Sequence, residues 1–154
     1  MKQEAEFPEP NNPNFSSRVY DSFSQQHLMK TLSATLSAVR PGEVEIELPF
    51  RKELTQQHGF LHAAAITAIV DSACGYAALT LLEPEREVLT VEFKVNFISP
   101  AAGHKFIAVG RVLRSGKTLT TCVGEVFALQ GEKKKLIAAM QATMIGLAAQ
   151  ADAQ

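Results

Sequence analysis

LHAAAITAIVDSACGYAALTLL, residues 61 to 82, is the stretch on which the fold turns. It holds seven alanines and no proline, so it favours one unbroken helix. At 22 residues that helix would span roughly 33 Å. Apolar side chains fall on nearly every face, as in a helix buried on most sides. Period two governs the flanks. Upstream, Leu32, Ala34, Leu36 and Ala38 alternate with Thr31, Ser33, Thr35 and Ser37. After a Pro41-Gly42 turn, Val44, Ile46, Leu48 and Phe50 alternate with Glu43, Glu45 and Glu47, which predicts a hairpin with one wet face. A polar loop, residues 51–60, leads into the helix. Downstream come four more alternating runs, at about 87–98, 104–114, 117–129 and 134–146, with Ser115-Gly116 and Gln130-Gly131 as turns. Successive strands joined by tight turns make an antiparallel sheet. One sheet covering one apolar helix must curl around it, so the expected class is α+β with a single central helix.

Further out, residues 1–20 carry Pro8, Pro10, Pro13 and three asparagines with little to bury, and are expected to form an irregular arm. A short helix is predicted from Ser22 to about Lys30, capped by Asp21 or Ser22. The domain then runs over 21–147, with a tail at 148–154. Fifteen basic against sixteen acidic residues give a net charge of −1, so no global field favours nucleic acid. The first residues have no apolar core of a secretory signal, and the most apolar stretch is broken by His62 and Asp71, so no membrane span is expected. Cys74 and Cys122 lie in apolar patterns and read as buried free thiols, which fits a cytoplasmic setting.

Asp71 is the anomaly. A carboxylate in the middle of an apolar helix is costly to bury unpaired, and such a charge is kept mainly where its perturbed pKa is used. A solvent-facing aspartate or a structural ion pair is the bland alternative, but this helix offers almost no polar face. His62 opens the same helix nine residues earlier, close to half a rotation away. On one helix the two would point in opposite directions, so unless the helix begins late they form no dyad within one chain. They could meet across a two-fold axis between subunits. His58 and His62 stand four apart, but Gly59 lies between them and the glutamate of HExxH is absent, so no metal is expected. Cys74 lacks a nearby histidine, and no GxSxG elbow supports a serine nucleophile. The N–H groups of Ala63 and Ala64 lie at the helix start, where orphan donors and the macrodipole favour a developing oxyanion.

The stretch QQHGFLHAAAITAIVDSACGYAAL resembles the signature of the hotdog-fold thioesterases of the phenylacetyl-CoA (PaaI-like) type, with a Gly, a His and an Asp at the family's intervals. VLTVEFKVNFISPA and GRVLRSGKTL resemble the strand and hairpin that follow, and the likeness covers roughly residues 20–147. It implies a curled antiparallel sheet around one helix, and an enzyme that hydrolyses acyl-CoA thioesters. Asp71 then matches the nucleophile or general base, and Thr90 matches a hydroxyl beside it. His62, Gln56 and Gly59 fall in the loop motif, with Gln56 where many members have Asn and Gln57 as the alternative reader. Ala63-Ala64 replaces the family's Gly-Gly but keeps the N–H donors. The pocket floor is expected near Cys74, Gly75 and Ala78, where small residues leave room.

Arg111, Arg114 and Lys117 flank the hairpin that lies near the nucleotide of coenzyme A in the family, an ordinary solvated turn being the alternative. Coenzyme A is part of the substrate, and no separate cofactor is expected. In the family the aspartate and the histidine loop come from different subunits, so a homodimer is expected, or a homotetramer made of two dimers. A non-catalytic acyl-CoA binder and an enoyl-CoA hydratase are the competing functions.

Overall fold

The computed structural model describes residues 8–149. Its elements are α1 (Phe15–Gln25), α2 (His27–Leu32), β1 (Thr35–Arg40), β2 (Glu43–Pro49), α3 (Ala63–Leu79), β3 (Arg86–Phe97), β4 (Lys105–Ser115), β5 (Leu119–Gln130) and β6 (Lys133–Ala148). A single 3-10 turn, Lys52–Leu54, interrupts the loop before α3. The six strands form one sheet in the order β1-β2-β4-β5-β6-β3, antiparallel throughout. The sheet curls around α3, the hotdog fold. Among the described residues no helix is long and apolar enough to cross a membrane.

The core lies between α3 and the sheet, where Ile66, Ile69, Val70, Ala73 and Ala77 meet Ile46, Phe106, Val126 and Met144. Two glycines set how closely the helix approaches. A Cβ on Gly110 would lie 2.3 Å from the carbonyl carbon of Ala73, and one on Gly124 would lie 2.4 Å from Val70 Cγ2. The helix backbone therefore rests almost directly on β4.

Three expectations need correction. The central helix has 17 residues, not 22, and spans about 25 Å. It ends because the buried Thr80 hydroxyl donates to Ala77 O at 2.6 Å and accepts from Gly42 N–H at 2.7 Å, tying the chain to the β1–β2 turn. The single helix expected from Ser22 to Lys30 is two helices broken at Gln26, and the first begins at Phe15. Residues 15–20 are thus helical rather than part of an irregular arm; Val19 is fully buried, and Asn11 Nδ2 donates to Leu81 O at 2.8 Å. Residues 1–7 of that arm, and residues 150–154 of the tail, lie outside the described range. Finally, β1 starts at Thr35. Met29 and Leu32 are buried one helical turn apart, and Ser33 reverses the chain in the left-handed region (φ 59°), so the apparent period two at Leu32 and Ala34 joins two different elements.

One irregularity in β3 positions the site. The register with β6 skips a residue between Thr90 and Glu92, so Val91 is a bulge. Before it Thr90 lies opposite Met144, and after it Phe93, Val95 and Phe97 lie opposite Ala142, Met140 and Ala138. Those β6 residues are buried toward α3. The bulge thus turns Thr90 to the helix side although it is out of phase with the three apolar residues that follow. β3 is also a sheet edge, and Leu89, Val91, Phe93 and Phe97 stand 58%, 54%, 42% and 50% exposed along it.

Candidate active site

Asp71 occupies the one open stripe of α3, with half-buried Ala68, Ser72 and Gly75 as neighbours. Thr90 Oγ1 donates to its Oδ1 at 2.8 Å. Burial pushes the Asp71 carboxyl above the ordinary carboxylate range, and the Thr90 hydrogen bond partly opposes that shift. The result is a carboxylate held by one hydroxyl, with Oδ2 accepting no bond from the described side chains. It opens into a cleft of about 190 Å³.

The far wall of this cleft was not visible in the sequence. It is built from Ser22 on α1, Gln26 at the helix break, and Ser72 and Tyr76 on α3. Gln26 Nε2 donates to Tyr76 Oη at 2.8 Å, Ser72 Oγ donates to Gln26 Oε1 at 3.4 Å, and Ser22 Oγ lies 3.2 Å from Tyr76 Oη. These contacts join residues 46 to 54 apart in the chain, so no local spacing encodes them.

The loop half of the expected site lies elsewhere in the same chain. His62 is the N-cap of α3; its Nδ1 accepts from Ala64 N–H at 2.9 Å, which occupies one of the two expected oxyanion donors. Ala63 N–H has no acceptor among the described residues. His62 and Ala64 border an apolar cleft of about 350 Å³ with Leu28, Leu32, Leu54 and Ala68. Ala63 and Gln56 border another, of about 290 Å³, with Phe60, Phe97, Pro100 and Ile137. Gln56 Oε1 accepts from His58 N–H, and Gly59 closes the turn at φ +84°. None of these residues lines the Asp71 cleft.

Cys74 is not on a pocket floor: it is fully buried against the sheet, as is Ala78 at 1% exposure. Burial pushes its thiol well above the ordinary range, and pushes that of Cys122 up to about 12. Gly75 does line the Asp71 cleft. Arg111 is committed to carboxylates, with Nε donating to Glu43 at 2.7 Å and Nη1 to Glu125 at 2.9 Å. That pairing engages two of its guanidinium nitrogens; Arg114 is exposed near the β4–β5 turn. Among the described residues no group of three or more His, Cys, Asp or Glu could hold a metal.

A curled sheet around one helix, with a carboxylate on the helix's open stripe bonded to a hydroxyl of β3, defines a hotdog scaffold with a candidate site. The family model of the thioesterase superfamily matches residues 58–135, and the chain belongs to that superfamily. It is 46% identical to a thioesterase family protein from Silicibacter pomeroyi, with 87% of this chain and 98% of that one covered and a TM-score of 0.86. The PaaI protein of E. coli shares the fold at 14% identity, with 89% and 96% covered and a TM-score of 0.80. A Saccharolobus solfataricus protein named "Putative esterase" is 34% identical over 92 residues, which span 60% of this chain and 65% of that relative. Asp71 and Thr90 fall inside the matched family region; Ser22 and Gln26 fall outside it.

Proposed function

We propose that this chain hydrolyses the thioester of an aryl- or medium-chain acyl-CoA, with Asp71 attacking the carbonyl or activating water and the start of α3 receiving the oxyanion. The observation that carries this reading is the Thr90–Asp71 hydrogen bond, because it fixes a half-buried carboxylate at the mouth of a cleft with one oxygen free for chemistry. Superfamily membership supports the reaction class.

The site needs two copies of the chain. In one chain Asp71 and Ala63 lie in different clefts, and helix geometry sets His62 about half a turn from Asp71. The exposed β3 edge supplies unpaired backbone groups beside apolar side chains, the surface on which a second copy would pair. In such a dimer the N–H of Ala63 and the loop of Gln56 and Gly59 would complete the partner's Asp71 site. Arg111, Arg114 and Lys117 would meet the coenzyme phosphates. A cytoplasmic setting fits the two free, buried thiols.

Thiol release from a panel of acyl-CoAs, wild type beside Asp71→Asn, tests the reading. Turnover by the wild type with loss in the variant is expected. Tight binding without turnover would make the chain an acyl-CoA binder, and wild-type rates in Asp71→Asn would remove Asp71 from the chemistry. Light scattering at micromolar concentration should give a dimer or tetramer; an active monomer would refute the shared site.

A further inference from the structure

We infer that Gln26 and Ser72 hold the hydrolytic water against Asp71, which takes a proton from it. The inference rests on the reading of Asp71 as the carboxylate that drives thioester hydrolysis. It starts from the valences the cleft leaves unused. Gln26 Nε2 has two protons and gives one to Tyr76; Gln26 Oε1 has two lone pairs and accepts one bond, from Ser72. Among the described residues, Ser72 Oγ, having donated, keeps both of its lone pairs, and Asp71 Oδ2 accepts no hydrogen bond. Four polar atoms with spare capacity therefore border one cleft, whose volume of about 190 Å³ far exceeds the roughly 10–15 Å³ that holds a single water.

The network is more than a staple for the N-terminal helices. Val19 is already fully buried, and the rings of Phe23 and Tyr76 pack at 5.9 Å, so α1 is fixed on α3 by apolar contact. The chain instead breaks its helix at Gln26, where the residue ends α1 and caps α2 with an extended ψ of 104°. That break brings its amide to the cleft wall. Thr90 holds Asp71 by Oδ1, and Asp71 shares the cleft with Gln26 and Ser72.

In the resulting step the water oxygen attacks the thioester carbonyl carbon while Asp71 takes one water proton. The C–S bond then breaks, the proton passes from Asp71 to the departing thiolate sulfur, and the products are a carboxylic acid and a thiol. Gln26 and Ser72 hold the water and exchange no proton with it.

The test is steady-state hydrolysis of the best acyl-CoA from the panel by Gln26→Met and Ser72→Ala, with melting temperatures alongside. Methionine keeps the length of glutamine without its hydrogen-bonding groups, and alanine suits a helix surface. Each variant should lose about 10-fold or more in kcat, the worth of a hydrogen bond in a charge-developing step, with KM within about twofold and melting little changed. Wild-type kcat in either well-folded variant overturns the proposal. So does a raised KM at unchanged kcat, which would make the wall part of the acyl pocket. If Gln26→Met melts early, Ser72→Ala decides alone. Should Asp71→Asn also keep full activity, the parent reading has failed, and that result is distinct from the failure of the water site.

Discussion

Asp71 and Cys74 stand less than one turn apart on α3, and their surroundings are opposite. Cys74 faces the sheet, where Gly124 lets the helix settle so close that a built Cβ there would lie 2.9 Å from its sulfur. Asp71 faces a cleft kept open by side chains from α1 and the helix break. Burial raises the pKa of both groups, but only the aspartate has a hydrogen-bond donor against it and room in front of it. A thiol sealed this way stays protonated and inert. A carboxylate held this way is a stronger base than an ordinary one and has room before it to meet a reactant. One helix thus carries a packing face, seated on glycines of β4 and β5, and a chemical face that opens to the cleft.

The severest way to break the contrast is to push the helix off the sheet. Gly110→Val would set a side chain 2.3 Å from the Ala73 carbonyl carbon, against backbone that cannot yield locally. A loss above about 4 kcal/mol is expected, most of the stability of a marginal domain, and chemical denaturation would show it. Asp71→Asn comes next and acts on the chemical face alone. Hydrolysis should fall by about 10²–10⁴-fold, the usual range for a general base.

The same variant should be more stable than wild type at neutral pH. The folded-state pKa of Asp71 lies above its unfolded value of 3.8, so folding favours the protonated form. Stability from this group is full below the unfolded value and falls as pH rises through the folded one. Asparagine has no such dependence. The gain in melting temperature should therefore be largest at neutral pH and disappear in acid; a neutral variant no more stable at pH 7 would mean that Asp71 carries no burial penalty.

Most of the fold could be read from periodicity, because α3 and the strands obey it. Where the reading overran, the cause was a contact made at a distance. Thr80 ends α3 by bonding a turn 38 residues away, and Ser33 takes a left-handed conformation that no hydrophobic pattern announces. The site divides the same way. Asp71 was legible because a charge in an apolar run is conspicuous. Thr90 was found by resemblance, and its physical trace is a phase change in β3: Val88 and Thr90 fall on one parity, Phe93, Val95 and Phe97 on the other, with the bulge between them. Ser22, Gln26 and Tyr76 left no trace, since only the folded chain brings them together.

Thr90→Val measures how much of the open face depends on one hydroxyl. Valine keeps the shape and removes the donor, so kcat should fall about 10-fold, in line with a hydrogen bond to a charged group. The pH profile is the sharper readout. Hydrolysis needs Asp71 ionised, and the Thr90 bond lowers its pKa against the effect of burial. Without that bond the acid limb of kcat should move to higher pH. A lower rate with an unmoved limb would assign Thr90 to the geometry of the site and not to the ionisation of Asp71.

The smallest effect separates the two faces by glycine alone. Gly75 lies on the chemical face, and a Cβ built there meets nothing within 4 Å, whereas the same atom on Gly110 collides with the helix backbone. Alanine is the better helix former in mid-helix by about 0.8–1 kcal/mol, so Gly75→Ala should stabilise the fold by up to that amount. The gain should appear as a higher denaturation midpoint at an unchanged m-value. A destabilised Gly75→Ala would show that this position is packed against something one chain does not contain, and a second subunit on the open stripe would be the first candidate. The outcome therefore tests whether the face that carries Asp71 is free for substrate or shared with a partner at Gly75.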